Sequence, residues 1–365
     1  MTKRSTARAK LLPSALGYRM PAEWEPHEST WLAWPHLRGD WPGKFEPVPW
    51  VYAEIVRNLA RHERVDMIVN SAHAETRARA VLEKADALSD SVCFHHWRTD
   101  RVWTRDSGCI FLTLSEERGD SALLALHFQF NAWAKYSNYK FDEKIGRRMA
   151  RAAGARVVEP VSGDHRVVLE GGSVDVNGRG TLLTTEECLL STEQQRNPPM
   201  DRVAYEQMFA DYFGVQSVIW LGGGVVGDDT HGHVDDIARF VSPNTVVAMT
   251  EANAQDENYS ALQHNLGRLR ATRTSDGQKL EIVEIPMPRP VVFEGRRLPA
   301  SYANFYIANG AVLVPVFNDP HDRIALNTLA TLFPTREIVP IYSGDLIWGF
   351  GALHCMTQQQ PARSS

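Results

Sequence analysis

The sequence contains no uninterrupted apolar run of about 18 residues, the length at which a membrane-spanning helix becomes a candidate. Its first residues, MTKRSTARAKLLPSALGYRMP, are basic but include neither the apolar core of a secretory signal peptide nor its cleavage site. We therefore expect no association with a membrane, and we predict that residues 1–15 form a flexible, solvated N-terminal tail.

Cysteine is also scarce, with four residues in a chain of 365. No two of them form a C-x-x-C pair, and four cysteines do not make a disulfide framework in a chain of this length. Free thiols and a cytoplasmic location are therefore expected. The four residues are Cys93, Cys109, Cys188 and Cys355.

An excess of basic charge is absent as well, because the formal net charge is −5. Nucleic-acid-binding domains usually carry a basic face, so no nucleic-acid partner is expected. A mildly acidic protein is compatible with a small cationic substrate. A homodimer is compatible with the same features.

Apolar segments of strand length alternate with amphipathic segments of helix length, and this alternation predicts an α/β fold. No linker, low-complexity run or change of composition divides the chain, so residues 16–360 are predicted to form one domain, followed by a short tail over 361–365. Helices are predicted over 48–62, 73–85, 138–153, 199–213, 254–272 and 322–333. Strands are predicted over 65–70, 109–114, 122–130, 166–169, 173–176, 181–185, 217–221, 237–249, 280–285, 304–317 and 337–342.

A polar residue of catalytic type recurs just before a strand at a spacing of roughly 60 residues. Five like units around an axis would bring these residues to one centre, whereas five unrelated loop residues would not converge. The spacing alone leaves both interpretations open. The residues, separated by 64, 63, 71 and 51 positions, are Asp106, Glu170, His233, Asn304 and Cys355.

Cys355 ends a glycine-rich stretch, WGFGALHC, in which the glycines allow backbone to approach a ligand closely. A nucleophilic cysteine needs an accessible, electropositive environment, and a cationic substrate beside the thiol would supply part of it. The alternative is a buried structural cysteine, which fits Cys93, Cys109 and Cys188 better because each lies in or beside an apolar run.

The segment GDDTHGHVDD is dense in histidine and aspartate. If it were a strand, His231, His233 and Asp235 would share one face and could bind a metal ion. Alternatively, one histidine transfers protons while a carboxylate binds a cation. A solvated acidic turn is the third possibility.

Asp106 follows Trp103 and Arg105 in the run WTRD. A carboxylate can pair with a planar cation and an indole can stack over it, although a surface Arg–Asp pair is equally compatible. Glu170, in LEGGS, could orient a histidine or cap a turn.

With these motifs the chain resembles the agmatine deiminase and bacterial-type peptidyl-arginine deiminase family over nearly its whole length. The resemblance implies a five-bladed α/β propeller of the guanidine-modifying (pentein) superfamily, and an enzyme that uses no cofactor and no metal. The matching stretches are MPAEWEPHESTWLAWP, VWTRDSG, VVLEGGSVDVNGRGTLLTTEECLL, GHVDD, YANFYIANGAVLVPVF and HCMTQQQP.

The same resemblance implies roles for particular residues. Cys355 is expected to be the nucleophile, His233 the general acid and base, and Glu170 the residue that orients this histidine. Asp106 and Asp235 are expected to hold the guanidinium group between them. Trp103 and Asn304 are expected to shape the substrate site. Arg105 is also predicted to bind substrate, because it stands beside Asp106 in the run WTRD.

The chain departs from the agmatine-selective pattern in RGDWPGK and WGFGALHC, which are expected to lie near the substrate tail. Agmatine, giving N-carbamoylputrescine and ammonia, is nevertheless the predicted substrate, because the motifs are rich in acids that suit a second cationic end. The alternatives are free or peptidyl arginine, a metal-dependent hydrolase built on His231, His233 and Asp235, and a polyamine-binding protein without turnover. The acids are Glu23, Glu25, Asp228, Asp229, Asp235 and Asp236, with Arg105 and Arg239 as nearby bases.

Overall fold

The computed structural model describes residues 12–114 and 123–363. The α-helices in these ranges are α1 (Val48–Leu59), α2 (Ala72–Lys84), α3 (Thr104–Ser107), α4 (Ile145–Ala152), α5 (Glu186–Leu190), α6 (Arg202–Phe213), α7 (Tyr259–Ala271), α8 (Asp322–Leu332) and α9 (Leu353–Met356). The strands are β1 (Tyr18–Arg19), β2 (His27–Ala33), β3 (Arg64–Val69), β4 (Val92–His96), β5 (Ile110–Leu114), β6 (Leu124–Leu126), β7 (Arg156–Val158), β8 (Val161–Ser162), β9 (His165–Arg166), β10 (Asp175–Val176), β11 (Thr181–Thr185), β12 (Ser217–Leu221), β13 (Ala238–Phe240), β14 (Thr245–Thr250), β15 (Glu281–Pro286), β16 (Val292–Phe293), β17 (Arg296–Arg297), β18 (Tyr306–Ile307), β19 (Ala311–Val316), β20 (Glu337–Tyr342) and β21 (Gln358–Pro361).

One structural unit recurs along the chain. A short helical turn leads into a strand, the next strand pairs with it antiparallel, and a helical connection returns the chain to a third, parallel strand. In one copy the turn Val234–Asp236 precedes β13, β14 pairs antiparallel with β13, and α7 connects β14 to the parallel β15. Parallel neighbours need such a crossover, whereas antiparallel ones need only a tight turn. The sheets β5-β6-β7, β10-β11-β12 and β18-β19-β20 follow the same order, and β1 is added at the edge of the first.

The two ends of the described chain meet in the last sheet, whose order is β21-β2-β3-β4. β21 pairs antiparallel with β2, and β2 and β3 pair parallel with their next neighbours. This pairing fixes the short helix α9, which directly precedes β21, against the N-terminal part of the chain. The mixed α/β class predicted from the alternation is confirmed.

Local sequence explains where the helices begin and end. Helix α1 has a proline in its first turn and buries one face that includes Tyr52, Ile55 and Leu59. Helix α6 begins at a side-chain cap, because Asp201 accepts a hydrogen bond from the backbone nitrogen of Ala204. Its end is set by a glycine in the left-handed region, with φ of 70°.

The sequence predicts the long helices well and the strands less evenly. The six predicted helices are present. Five are shorter than predicted, and α2 is shifted by one residue. The segment 138–153 becomes a 3₁₀ turn, Asp142–Lys144, followed by α4. The predicted strand 237–249 is two strands joined by a turn, and 166–169 is wrong because β9 ends at Arg166. The strands that were not predicted are β1, β2, β4, β7, β8, β16, β17 and β21. β21 is polar in sequence, QQQP, yet buried, so an apolar pattern could not reveal it.

The predicted tails differ from the structure where it describes them. Residues 1–11 and 364–365 of those tails lie outside the described residues. Residues Ser14–Leu16 form a 3₁₀ turn, and Pro361 belongs to β21. Across 12–114 and 123–363, the structure contains no helix with the length and apolar character needed to cross a membrane.

Candidate active site

The repeat brings the five recurring polar residues to one buried centre. Each lies on, or directly before, the helical turn that opens its unit, and each is at most 4% exposed. Contacts described below connect them through their side chains. Of the two interpretations that the spacing left open, convergence is therefore confirmed. The residues are Asp106, Glu170, His233, Asn304 and Cys355.

The thiol of Cys355 lies among an amide and carboxylates. Asn304 Nδ2 is 3.1 Å from Cys355 Sγ, and Asp235 Oδ2 is 3.7 Å from the same sulfur. Burial raises the pKa of this thiol well above its usual range, and the neighbouring carboxylates of Asp235, Asp236 and Asp106 raise it further. The thiol is therefore protonated in the free protein.

The imidazole of His233 lies between carboxylates on both sides. Its Nδ1 is 3.9 Å from Asp106 Oδ1 and 4.0 Å from Asp235 Oδ1, and its Nε2 is 3.7 Å from Glu170 Oε2. These are ion-pair separations rather than hydrogen bonds. Burial lowers the pKa of His233, but the surrounding negative charge outweighs it and raises the pKa well above the usual range. The ring is therefore an imidazolium at neutral pH.

Glu170 is kept ionised behind this histidine. Arg196 Nε donates a hydrogen bond of 3.1 Å to Glu170 Oε1, and both side chains are fully buried. Burial opposes the charge, but Arg196 and His233 outweigh it and lower the pKa of Glu170 to about 2. The free oxygen, Oε2, is the one that faces His233. Glu170 therefore holds the imidazolium electrostatically.

Asp106 is oriented by two donors. Trp133 Nε1 donates to Asp106 Oδ2 at 2.9 Å, and the backbone nitrogen of Gly172 donates to Oδ1 at 3.1 Å. Burial raises the pKa of Asp106 to about 6, against the lowering effect of His233. A cation bound beside it would favour the ionised form.

A second histidine, His354, contacts Asp235. Its Nδ1 is 2.6 Å from Asp235 Oδ2 and its Nε2 is 2.8 Å from Glu23 Oε2. Burial works against ionisation, but His354 outweighs it and lowers the pKa of Asp235. From the sequence, Glu23 was expected only as a nearby acid and no role was predicted for His354. The position of His354 directly before Cys355 is a signal that could have revealed it.

Arg105, predicted to bind substrate, is not among the residues that line the cavity described below. Its guanidinium donates to Gln359 Oε1 at 2.7 Å and to Glu23 Oε2 at 3.2 Å, behind the turn that carries Cys355. Consecutive residues on a helical turn point about 100° apart, so in α3 Arg105 and Asp106 face different surroundings. Trp103, two residues earlier, does line the cavity described below.

The predicted face shared by His231, His233 and Asp235 is also absent, because the segment is not a strand. His231 has φ of 64°, and its Nε2 lies 3.2 Å from Ser191 Oγ. His231 and Asp235 belong to no group of possible metal ligands in 12–114 and 123–363. The group found there, with ligand atoms within 4.8 Å of one another, combines His233 with Glu170 and Cys188.

A cavity of about 280 Å³ opens onto Cys355 and Asp106. The two stretches in which the sequence departs from the agmatine-selective pattern both contribute to its wall. Its lining residues are Gly39, Asp40, Pro42, Arg101, Trp103, Asp106, Trp133, Tyr136, Asp229, Thr230, Arg296, Trp348, Gly349, Phe350, Gly351 and Cys355.

The charge of the lining residues is more balanced than predicted, because three acids, Asp40, Asp106 and Asp229, lie with two arginines. Of the six acids in that argument, Asp229 alone is among the lining residues, and it accepts hydrogen bonds from Lys135 and Tyr136. Two arginines, Arg101 and Arg296, also line the cavity. The side chain of Arg296 lies over the ring of Phe350, 3.9 Å from its centroid. Arg101 directly precedes the motif VWTRDSG, whereas Arg296 comes from a part of the chain remote from the motifs.

The chain is similar to known deiminases over nearly its whole length. The model of the Porphyromonas-type peptidyl-arginine deiminase family matches residues 19–361. An agmatine deiminase of Pseudomonas aeruginosa is 35% identical, over 96% of this chain and 97% of that protein. Among solved structures, an agmatine deiminase of Enterococcus faecalis catalysing its reaction has a TM-score of 0.88 and 29% identity, with 97% and 98% of the two chains covered.

A second solved structure is of a cysteine-to-serine variant of the agmatine deiminase of C. jejuni, with substrate bound. Its TM-score is 0.83 and its identity is 28%, with 95% of this chain and 97% of that chain covered.

Gly172 provides a stability test of this centre. A Cβ at this position would lie 2.6 Å from His233 Nδ1 and 3.0 Å from Asp235 Oδ2. We expect Gly172→Ala to lower the free energy of unfolding by about 1 to 3 kcal/mol, the usual penalty for overpacking. Denaturant titration measures the change.

The matched control is Gly267→Ala, in α7, where a Cβ would have nothing within 4 Å. This variant is expected to gain about 0.5 to 1 kcal/mol, because alanine favours the helix. Equal stability changes in the two variants would contradict the close packing around His233.

Proposed function

Since the chain belongs to the Porphyromonas-type peptidyl-arginine deiminase family, we propose that it deiminates agmatine, giving N-carbamoylputrescine and ammonia. It is a hydrolase of carbon–nitrogen bonds. The observation that carries the proposal is the position of the Cys355 thiol, in the same cavity as Asp106 and 3.7 Å from the carboxylate of Asp235. A guanidinium held by these acids presents its carbon to the sulfur.

Binding of the guanidinium rests on carboxylates from two different turns. Asp106 comes from α3 and Asp235 from the turn Val234–Asp236, so the two acids approach a planar cation from different directions. Asp235 Oδ1 has no hydrogen-bond partner among the described residues and is available to the substrate. Trp103 supplies an aromatic wall on which a guanidinium can stack. Orientation of this kind places the reacting atoms in a near-attack geometry.

The substrate itself activates the nucleophile. The pKa of Cys355 is raised by burial and by carboxylates in the free protein. A guanidinium bound beside these carboxylates offsets their negative charge and therefore lowers the pKa of the thiol. When substrate binds, the thiol proton passes to solvent and the reactive thiolate forms. Its attack on the guanidinium carbon makes a carbon–sulfur bond, and the electron pair of a carbon–nitrogen π bond moves onto nitrogen.

His233 then serves both halves of the reaction. As an imidazolium it donates a proton to a nitrogen of the tetrahedral adduct, the carbon–nitrogen bond breaks, and ammonia leaves. The neutral imidazole next accepts a proton from water, whose oxygen attacks the thiouronium carbon. The carbon–sulfur bond breaks, and the proton of the adduct's hydroxyl passes to the leaving thiolate as the ureido carbonyl forms, which restores the thiol. Glu170 stabilises the charged ring in each cycle.

Agmatine is supported by the relatives rather than by the charge of the cavity. The Pseudomonas aeruginosa and Enterococcus faecalis proteins bear the name agmatine deiminase, and the C. jejuni variant that holds substrate has a cysteine replaced by serine. That replacement fits a nucleophilic role for Cys355.

Free or peptidyl arginine is the second candidate, because one observation favours it. Arginine adds an α-carboxylate to agmatine, and a buried carboxylate needs a cationic partner. Arg101 and Arg296 line the cavity and could provide one.

We also infer that the five sheets surround one axis as a five-bladed propeller. Five repeated units, each with a helical turn that carries a central residue, support this arrangement. Closure of the ring would come from the pairing of β21 with β2.

The role of the thiol predicts a selective chemical modification. Chloroacetamidine, which carries an amidinium, should label Cys355 faster than neutral chloroacetamide, because the amidinium lowers the pKa of the thiol. Cys355→Ala should lower kcat by more than about 10⁴-fold, as expected on loss of a nucleophile. Mass spectrometry of the labelled peptides and steady-state kinetics provide the measurements.

The matched control is Cys93→Ala, which removes a half-buried thiol in β4. It should keep its kcat and its labelling at Cys355. Full turnover by Cys355→Ala, or equal labelling by the charged and neutral reagents, would contradict the role of the thiol.

The choice of substrate predicts an order of kcat/KM. Agmatine should exceed free arginine and an arginyl peptide by about tenfold or more, which corresponds to about 1.4 kcal/mol. Ammonia and the ureido product are measured for each compound. A preference for arginine of the same size would overturn agmatine but not deimination, and no ammonia from any of the three would contradict deimination itself.

A further inference from the structure

Asp40 also lines the cavity that contains Cys355, and none of the proposed reaction steps gives it a role. It ends the 3₁₀ turn Arg38–Asp40, and its side chain is 4% exposed. The next residue, Trp41, is fully buried and donates a hydrogen bond of 2.8 Å from Nε1 to the carbonyl oxygen of Leu346. Trp41 therefore fixes Asp40 against the cavity wall.

Only one oxygen of Asp40 is used by the protein. Arg101 donates to Oδ1 at 2.5 Å, while Oδ2 is buried and has no hydrogen-bond partner in the described ranges. A buried carboxylate oxygen without a donor is costly. In keeping with this, burial raises the pKa of Asp40 to about 6, with Arg101 lowering it and Asp229 raising it. A ligand that brings a donor, and best a cation, would remove the penalty.

The third carboxylate that lines the cavity besides Asp40 and Asp106 is Asp229, and it is not free in the same way. It accepts hydrogen bonds from Lys135 Nζ and, at 2.5 Å, from Tyr136 Oη, and Arg296 lies 3.6 Å from Oδ1. Its charge is thus shared among groups of the protein. A cationic substrate end would have to compete with these groups at Asp229 but not at Asp40 Oδ2.

We propose that Asp40 Oδ2 binds the ammonium end of the substrate. It thereby selects guanidines whose tail carries an ammonium over guanidines with an uncharged tail. This rests on the proposed deimination of agmatine, whose four-carbon chain separates an ammonium from the guanidinium. Lys135 and Arg296 are 36% and 49% exposed, so water screens their repulsion of the ammonium. The contact at Asp40 is shielded from water and is therefore the stronger one.

The test compares agmatine with butylguanidine, which has the same chain length without the ammonium. Asp40→Asn keeps an acceptor for Arg101 and removes the charge. It should lower kcat/KM for agmatine by roughly 10- to 100-fold, the loss expected for a charge-assisted hydrogen bond. The loss should appear in KM rather than in kcat. For butylguanidine the fall should be less than about threefold, since no contact with a charged tail is removed.

The matched control is Asp345→Asn, which removes a carboxylate that pairs with Lys44 at 2.7 Å and does not line the cavity. It should leave the ratio of kcat/KM for the two compounds as in the parent protein. An equal fall for agmatine and butylguanidine in Asp40→Asn, or no fall for either, would overturn the role of Asp40.

Binding separates this inference from the proposed reaction. In a Cys355→Ser background, which does not turn over, calorimetry should give tighter binding of agmatine than of butylguanidine. The added Asp40→Asn should remove the difference. Ammonia release by the parent protein together with equal binding of agmatine and butylguanidine would refute the ammonium site alone. Absence of ammonia release from the parent protein would refute the proposed reaction. Absence of agmatine binding would refute both.

Discussion

The structure depends on the burial of several carboxylates around one imidazolium. Asp106, Glu170 and Asp235 each lie within 4.0 Å of a nitrogen of His233, and all are buried. The single positive charge of the imidazolium offsets only part of the negative charge of these carboxylates. A second cation is therefore favoured at the centre, and a guanidinium has the charge and the planar set of donors to meet it.

Such a centre needs an outer layer of opposite charge to remain folded. Arg196 pairs with Glu170, and Arg239 pairs with both Asp175 and Glu23, deep in the protein. These arginines hold the acids in fixed positions but do not touch the cavity. Fixed acids cannot rearrange when substrate arrives, so the cost of orienting them is met on folding rather than during the reaction.

The sequence predicted the centre but not its support. Asp106, Glu170, His233, Asn304 and Cys355 were found because each begins a repeated unit, and a repeat is visible in sequence. Arg196 and Arg239 follow no comparable rule, since an arginine paired across 26 or 64 positions gives no local signal.

Errors in the prediction share a physical cause. Arg105 was assigned to the substrate because it adjoins Asp106, yet a helical turn separates their directions. The strand β21 was missed because its buried glutamines satisfy polar groups of neighbouring elements instead of an apolar core. Arg101 and Arg296, which are far apart in sequence, line the same cavity only because of the tertiary fold. The sequence pattern therefore does not determine the direction of a side chain or the pairing of residues that are far apart in the chain.

The proposed reaction depends most directly on a covalent bond between Cys355 and the guanidinium carbon. Rapid acid quenching of the protein during turnover of agmatine, followed by mass spectrometry of its peptides, observes that bond. The peptide containing Cys355 should be heavier by agmatine less ammonia, and the added mass should disappear once substrate is exhausted. Continued turnover with Cys355 unmodified at every quench time, or the same mass on another residue, would contradict the account.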